Sequence, residues 1–235
     1  MALYTISDLH LPLGIDKPMD IFGNGWENYV EKISEEWLKN IEPEDTVVLP
    51  GDFSWATYLE ESKKDFEFLN NLPGKKILLK GNHDYWWTTM NKLRNFIKDE
   101  GFSGIEFLHN NCFMYNDIAI CGSRGWSYIG AGETKNEDDI KIYEREVMRL
   151  ELSLEEAKKH SPREIIVFMH YPPVVPGIFK NGFTDLFEKY GVRRCVYGHI
   201  HGPSRKYAVT GDVNGVFYML VSCDYIGFSP IKLCE

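Results

Sequence analysis

The chain has 235 residues, 43% of them hydrophobic and 14% aromatic, with a formal net charge of −9. This composition excludes a disordered chain and supplies a large core, and no run approaches the ~18 apolar residues of a membrane span. The acidic balance lacks the basic footprint of a protein that grips a long nucleic acid, yet it is compatible with a small anionic substrate whose site carries its own cations.

The N-terminal stretch MALYTISDLHLPLG has no basic region and no small-residue cleavage site. It reads as a first strand over 3–7, not as a secretory signal. Residues 26–41 set Trp26, Tyr29, Val30, Ile33, Trp37 and Ile41 three or four apart, which predicts a helix. A strand follows over 46–52, a helix over 58–71 with Leu59, Phe66 and Leu69 on one face, and a strand over 76–82. Met90, Leu93 and Ile97 mark a helix over 88–98. Residues 106–122, including an apolar run at 118–123, read as an antiparallel hairpin turning at Asn116–Asp117. A long, charged helix covers 137–159, its charges read as a solvated face. Strands at 164–170 and 195–199 follow, then a hairpin over 206–223 turning at Asn214–Gly215.

Most of the apolar runs are rich in Val, Ile and Leu with little alternation, as in strands buried on both faces. Alternation with helices predicts largely parallel sheet with crossover helices, and the two hairpins add antiparallel pairs. The expectation is one domain over 1–235, built from two mixed sheets packed face to face with helices outside. Cys112, Cys121, Cys195, Cys223 and Cys234 are odd in number and widely spaced, without a C-x-x-C. They predict reduced thiols and a cytoplasmic protein, not a disulfide framework or a structural zinc site.

Five polar clusters sit at or just past the ends of apolar runs: Asp8-x-His10, Gly51-Asp52, Gly81-Asn82-His83-Asp84, His170, and Gly198-His199-x-His201. Ligands of open α/β sheets bind at the carboxyl ends of strands, and residues two apart in an extended chain point the same way. Asp8 with His10, and His199 with His201, are therefore expected to converge on one point. Carboxylate, imidazole and amide oxygen suit Zn, Fe or Mn, and no thiolate demands a softer metal. Two such ions beside Asp8 and Asp52 leave the site net positive and able to attract a phosphoryl group. A metal pair can also generate a hydroxide nucleophile near neutral pH.

The order D-x-H, G-D, G-N-H-D, H, G-H-x-H, spanning residues 8–201, resembles the calcineurin-like metallophosphoesterases. The resemblance implies an α+β (α/β-like) four-layer αββα sandwich and a dinuclear phosphoesterase whose bridging hydroxide attacks phosphorus. By position, Asp8, His10 and His201 would bind one metal, Asn82, His170 and His199 the other, and Asp52 would bridge. His83 would contact the phosphate or protonate the leaving group, with Asp84 orienting it. Protein serine/threonine phosphatases of the superfamily extend G-D into D-R-G and end the third motif in Glu. This chain reads GDFSWA and GNHD, closer to bacterial and archaeal phosphodiesterases and phosphohydrolases.

Arg124, in GSRGW after a strand, is a candidate phosphate contact, since guanidinium matches phosphate geometry; a surface salt bridge is the alternative. Segments 11–26 and 127–139 are long enough to rim the site. Trp86, Trp87, Trp126 and Tyr171 read as core residues that could instead stack a base, and His109 and His160 as ordinary loop residues. The expected partner is a small phosphorylated substrate, a diester or nucleotide, with no extended nucleic acid and no membrane. A monoesterase or protein phosphatase of the same superfamily, or a scaffold that keeps the fold without catalysis, are the other readings.

Overall fold

In the computed structural model, residues 1–17, 19, 24–127 and 137–235 are described. The elements run β1 (Leu3–Thr5), α1 (Tyr29–Asn40), β2 (Thr46–Pro50), α2 (Lys63–Asn71), β3 (Lys75–Leu79), α3 (Met90–Asp99), β4 (Ile105–Phe107), β5 (Phe113–Tyr115) and β6 (Ile118–Ser123). They continue with α4 (Glu137–Lys158), β7 (Glu164–Met169), α5 (Gly182–Tyr190), β8 (Arg194–Tyr197), β9 (Gly211–Val213), β10 (Val216–Leu220) and β11 (Ile231–Cys234).

These strands make two mixed sheets, ordered β11-β1-β2-β3-β4 and β5-β6-β7-β8-β10-β9. In the first, β1 to β4 are parallel and β11 runs antiparallel to β1. In the second, β6, β7, β8 and β10 are parallel, with β5 and β9 antiparallel at the edges. Three apolar layers hold the stack. Ile33, Trp37, Phe66, Leu69, Leu93 and Ile97 of α1, α2 and α3 pack on Val47, Leu49 and Leu78 of the first sheet. Val48 and Ile77, on its other face, meet Ile120, Ile166, Phe168 and Val196 of the second sheet. Leu150, Leu154, Phe183 and Phe187 of α4 and α5 cover the far face through Val167 and Cys195. Both faces of each central strand are thus dry, which is why the runs do not alternate.

Both hairpin turns fall where the sequence places them: Asn116 and Asn214 adopt left-handed φ of 51° each, between β5 and β6 and between β9 and β10. Four details differ. Residues 105–107 are not part of the first hairpin but pair parallel with β3, so the chain crosses between sheets at 108–112. The helix expected from 58 begins at Lys63, because a 3-10 turn, Leu59–Ser62, precedes it and Glu61 Oε2 accepts from the Thr57 and Tyr58 N–H groups at 2.9 and 3.1 Å. Helix α5 has only nine residues, too few for a clear period, but its ends carry signals: Asn181 caps the Phe183 N–H at 2.9 Å and Gly191 takes a left-handed φ of 69°. Strand β11 is short and largely half-buried at a sheet edge, and it leaves no distinct pattern. Among the described residues no helix is long and apolar enough to cross a membrane.

Candidate metal centre

The five clusters occupy the loops that follow β1, β2, β3, β7 and β8, at the carboxyl edge of both sheets. The loops are laced together by backbone: Asp8 N–H donates to Gly51 O at 3.0 Å, His10 N–H to Asp52 O at 2.9 Å, and Gly198 N–H to His170 O at 3.2 Å. The convergence of Asp8 with His10 and of His199 with His201 does not come from an extended chain, as the sequence reading expects. Asp8, His10, Asp52 and His199 have φ of 62°, 45°, 51° and 73°, the left-handed region that L side chains seldom adopt. The chain turns at these residues, and their side chains meet because loops from both sheets hold the turns. Two glycines are dictated by contact. A Cβ on Gly81 would lie 2.1 Å from Asp52 Oδ1, and one on Gly198 would lie 2.4 Å from Asp8 Oδ2. In their place, backbone N–H groups reach the same carboxylates: His83 N–H donates to Asp52 Oδ1 at 2.7 Å, and His199 N–H lies 3.0 Å from each oxygen of Asp8.

Two groups of candidate ligands result, Asp8 with His10 and His201, and Asp52 with His170 and His199; within each, the ligand atoms lie within 4.8 Å of one another. His10 Nε2 stands 3.7 Å from Asp52 Oδ2, which links the two groups. Their unsatisfied atoms fit cations. His10 Nδ1 is buried without a hydrogen-bond partner, and His201 Nε2 faces the Asp8 carboxylate, 3.2 Å from Oδ1. His170 Nδ1 faces the Pro50 carbonyl at 3.1 Å, so the neutral ring that donates there carries a lone pair on Nε2. That lone pair faces Asn82 Oδ1 at 2.6 Å and Asp52 Oδ2 at 3.4 Å. Acceptors crowded this closely need a positive centre between them.

Electrostatics give the same picture. Burial opposes the ionisation of Asp8, but His201, His170 and His10 outweigh it and hold its carboxyl well below the carboxylate range. Burial likewise opposes that of Asp52, and His170 and His10 hold it low. Against the pull of burial, Asp8 and Asp224 raise His201 to about 10, and Asp52 and Asp8 raise His170 to about 8. Burial depresses His10 to about 4, and burial with the neighbouring His170 depresses His199 to about 4. Protons on His201 and His170 stand where a cation would otherwise balance the two carboxylates.

His83 lies beside these groups, its ring centroid 4.6 Å from Trp55 and 5.6 Å from His10, half-buried at the wall of an open pocket. Asp84 does not orient the His83 ring. Its fully buried carboxylate accepts from the N–H groups of Gly81, Asp52, Phe53 and Ser54 at 2.7–3.3 Å and from the Trp86 indole at 3.0 Å. It pins the loop after β2 to the loop after β3, a role that a sequence cannot display because four of its five partners are backbone or distant. Arg124 turns toward α4: its guanidinium is 3.6 Å from the buried Glu146 and 4.7 Å from the Trp126 ring centroid. It lines a narrow cleft with Lys80, His109 and Arg149, and none of the candidate ligands is among these contacts. Glu146 shows that the α4 charges are not all solvated.

Trp86 and Trp87 are core residues, 2% and 8% exposed. Tyr171 packs its ring 4.2 Å from that of His199 and so borders the second group. The structure adds Asp224, which the sequence reading passed over. Its Oδ1 is 2.9 Å from His201 Nδ1, and its Oδ2 accepts from the Gly202 N–H at 3.0 Å. The signal was there: Asp224 closes the last apolar run just as Asp8 and Asp52 close theirs. Of the rim segments, residues 18, 20–23 and 128–136, with Asp20 and Glu133, lie outside the described residues.

A family model described as calcineurin-like phosphoesterase matches residues 1–203. No curated protein matches the chain. Among solved structures, TT1561 of Thermus thermophilus is similar over 98% of this chain and 96% of its own, with a TM-score of 0.58 at 11% identity. The phosphopantetheinyl hydrolase of Mycobacterium tuberculosis is similar over 100% and 94%, with a TM-score of 0.56 at 16% identity. AQ665 of Aquifex aeolicus, described as of unknown function, is similar over 98% and 95%, with a TM-score of 0.51 at 17% identity. At such identities the likeness is one of fold.

Proposed function

Because the chain belongs to the calcineurin-like phosphoesterase family, we propose that it is a dinuclear metal-dependent phosphoesterase that favours small phosphodiesters or nucleotides over phosphoproteins and long nucleic acids. Asp8, His10 and His201 would hold one ion, Asn82, His170 and His199 the other, and Asp52 would be shared; Mn, Fe and Zn suit this donor set. When bound, the ions activate water and neutralise charge on the phosphoryl oxygens. The protein's own groups do the rest. The Pro50 carbonyl and Asp224 orient His170 and His201 through their far ring nitrogens. The backbone N–H groups of His83 and His199 aim Asp52 and Asp8. His83 delivers a proton to the leaving oxygen, and Asp84 holds the loop that carries it.

The observation that carries this reading is the meeting of two three-residue ligand groups within reach of one another, with His10 Nδ1 buried and unpartnered. The preference for small substrates is supported by the charge of −9 and by Asp16, Glu137, Asp138 and Asp139 in or beside the rim segments, which repel an extended polyanion. Five free cysteines support a reducing compartment, the cytoplasm. The Mycobacterium tuberculosis hydrolase shares the fold alone, so the substrate is read from this chain's own residues.

The test is a comparison of kcat/KM for bis-p-nitrophenyl phosphate, p-nitrophenyl phosphate, a phosphopeptide and single-stranded DNA on Mn-loaded protein. A tenfold win for the phosphopeptide or DNA, ~1.4 kcal/mol of transition-state preference, overturns the substrate class. His83→Ala is expected to keep both ions and to lose ~10²–10⁴ in rate, less for substrates with good leaving groups. Protein that holds metal but turns over none of these esters would be a scaffold.

A further inference from the structure

A pocket of about 400 Å³ opens beside the first ligand group, within the size range of ligand sites. One wall is His10, His83 and His201; the other is Met19, Trp26, Trp55 and Pro203. Holding an ion uses only one wall, so the ligands alone do not account for the apolar side. Among the described residues, no carboxylate and no Lys or Arg is part of its lining.

The apolar wall is fixed in place. His10 stacks on Trp55 with centroids 4.4 Å apart, and Lys17 Nζ sits 3.4 Å from the same ring centroid. Trp55 Nε1 lies 2.9 Å from Met19 Sδ. Trp26 meets Tyr29 and Phe228 edge to face at 5.2 and 5.5 Å and is 6% exposed. These indoles are held by contacts behind them and cannot easily swing in to fill the space, so the cavity is preformed for a guest.

His83 says which part of the substrate the guest is. A group that His83 protonates must lie against its ring, and that ring borders this pocket. We infer that the pocket receives the leaving group, and that the preferred substrate is a phosphate ester of an alcohol or phenol carrying an apolar ring. A seryl or threonyl leaving group would leave the space empty, whereas a ring fills it and meets the edges of the two indoles and the Met19 side chain. The inference deepens the phosphoesterase reading and rests on it.

Phosphonates test it without cleavage, because the C–P bond survives and leaving-group acidity plays no part. Methyl-, benzyl- and 1-naphthylmethylphosphonate are titrated into Mn-loaded protein by calorimetry. Affinity is expected to rise at least tenfold from the methyl to the naphthylmethyl compound. Pro203→Trp, at an exposed position on the rim, is expected to shrink that ratio below threefold while circular dichroism stays unchanged. Equal affinity for the three compounds, or an unchanged ratio in Pro203→Trp, overturns the pocket assignment. Methylphosphonate binding and p-nitrophenyl phosphate hydrolysis in the same preparation keep that failure separate from failure of the phosphoesterase reading. Absence of both would sink the two together.

Discussion

The two ligand groups use the same residue types in different settings. His170 is wholly buried and directs Nδ1 at a backbone carbonyl, Pro50 O, which no side-chain substitution removes. His201 keeps 26% of its side chain exposed and relies on a carboxylate, Asp224, that is itself half-tied to the Gly202 N–H and Arg205. One group draws on the loops after β2, β7 and β8; the other on the loops after β1 and β8, backed by Asp224 after β10. Ligands of the same type in unequal settings are expected to hold ions unequally. An ion held by Asp8, His10 and His201 is expected to be lost first, and that group is also the one beside the apolar pocket.

Asp52 is what the two groups have in common. Asp52→Ala is expected to deplete both ions and lower kcat/KM by on the order of 10³, since a metal pair and its charge neutralisation are lost together. Elemental analysis alongside kinetics checks it; loss of one ion alone would show that Asp52 belongs to a single group.

Asp224→Ala touches one group only. It removes the carboxylate behind His201 and is expected to weaken one ion by ~10–100-fold while the other stays bound. Metal occupancy against chelator concentration reads this directly, and parallel loss of both ions would make the two settings equivalent.

The effect furthest from the chemistry concerns the support under both groups. Asp65 accepts from the Leu13 N–H at 2.8 Å and from the Ser54 hydroxyl, tying the loop after β1 to the loop after β2. Burial raises its carboxyl to about 7, against those two bonds. The folded state therefore holds this proton more tightly than the unfolded chain, whose Asp titrates near ~3.9. Its contribution to stability is full below about pH 4 and is lost as pH rises toward 7. Asp65→Asn removes that slope. The stability difference between wild type and variant is expected to change by a few kcal/mol, ~1.4 per pH unit at most, between pH 4 and 7 in denaturant titrations. A pH-independent difference would mean that Asp65 ionises normally.

Much of this was legible in residues that act locally. Strand ends carry their own markers, so Asp8, Asp52, Asn82, His170 and His199 could be placed at one sheet edge, and Asn116 and Asn214 marked hairpin turns through their tolerance of positive φ. Donor chemistry was also a property of residue type, and it pointed to hard or borderline cations. Tertiary structure decided what depends on partners far away in the chain. It brought Asp8 and His10 together through left-handed turns instead of an extended pair, bound Asp84 to the amides of Asp52, Phe53 and Ser54 and not to His83, and turned Arg124 toward Glu146. It set Asp224 behind His201, 23 residues distant, and placed Trp26, Trp55 and Pro203 around one pocket. A side chain's type is written at its own position, but its direction is settled only when the surfaces it packs against exist.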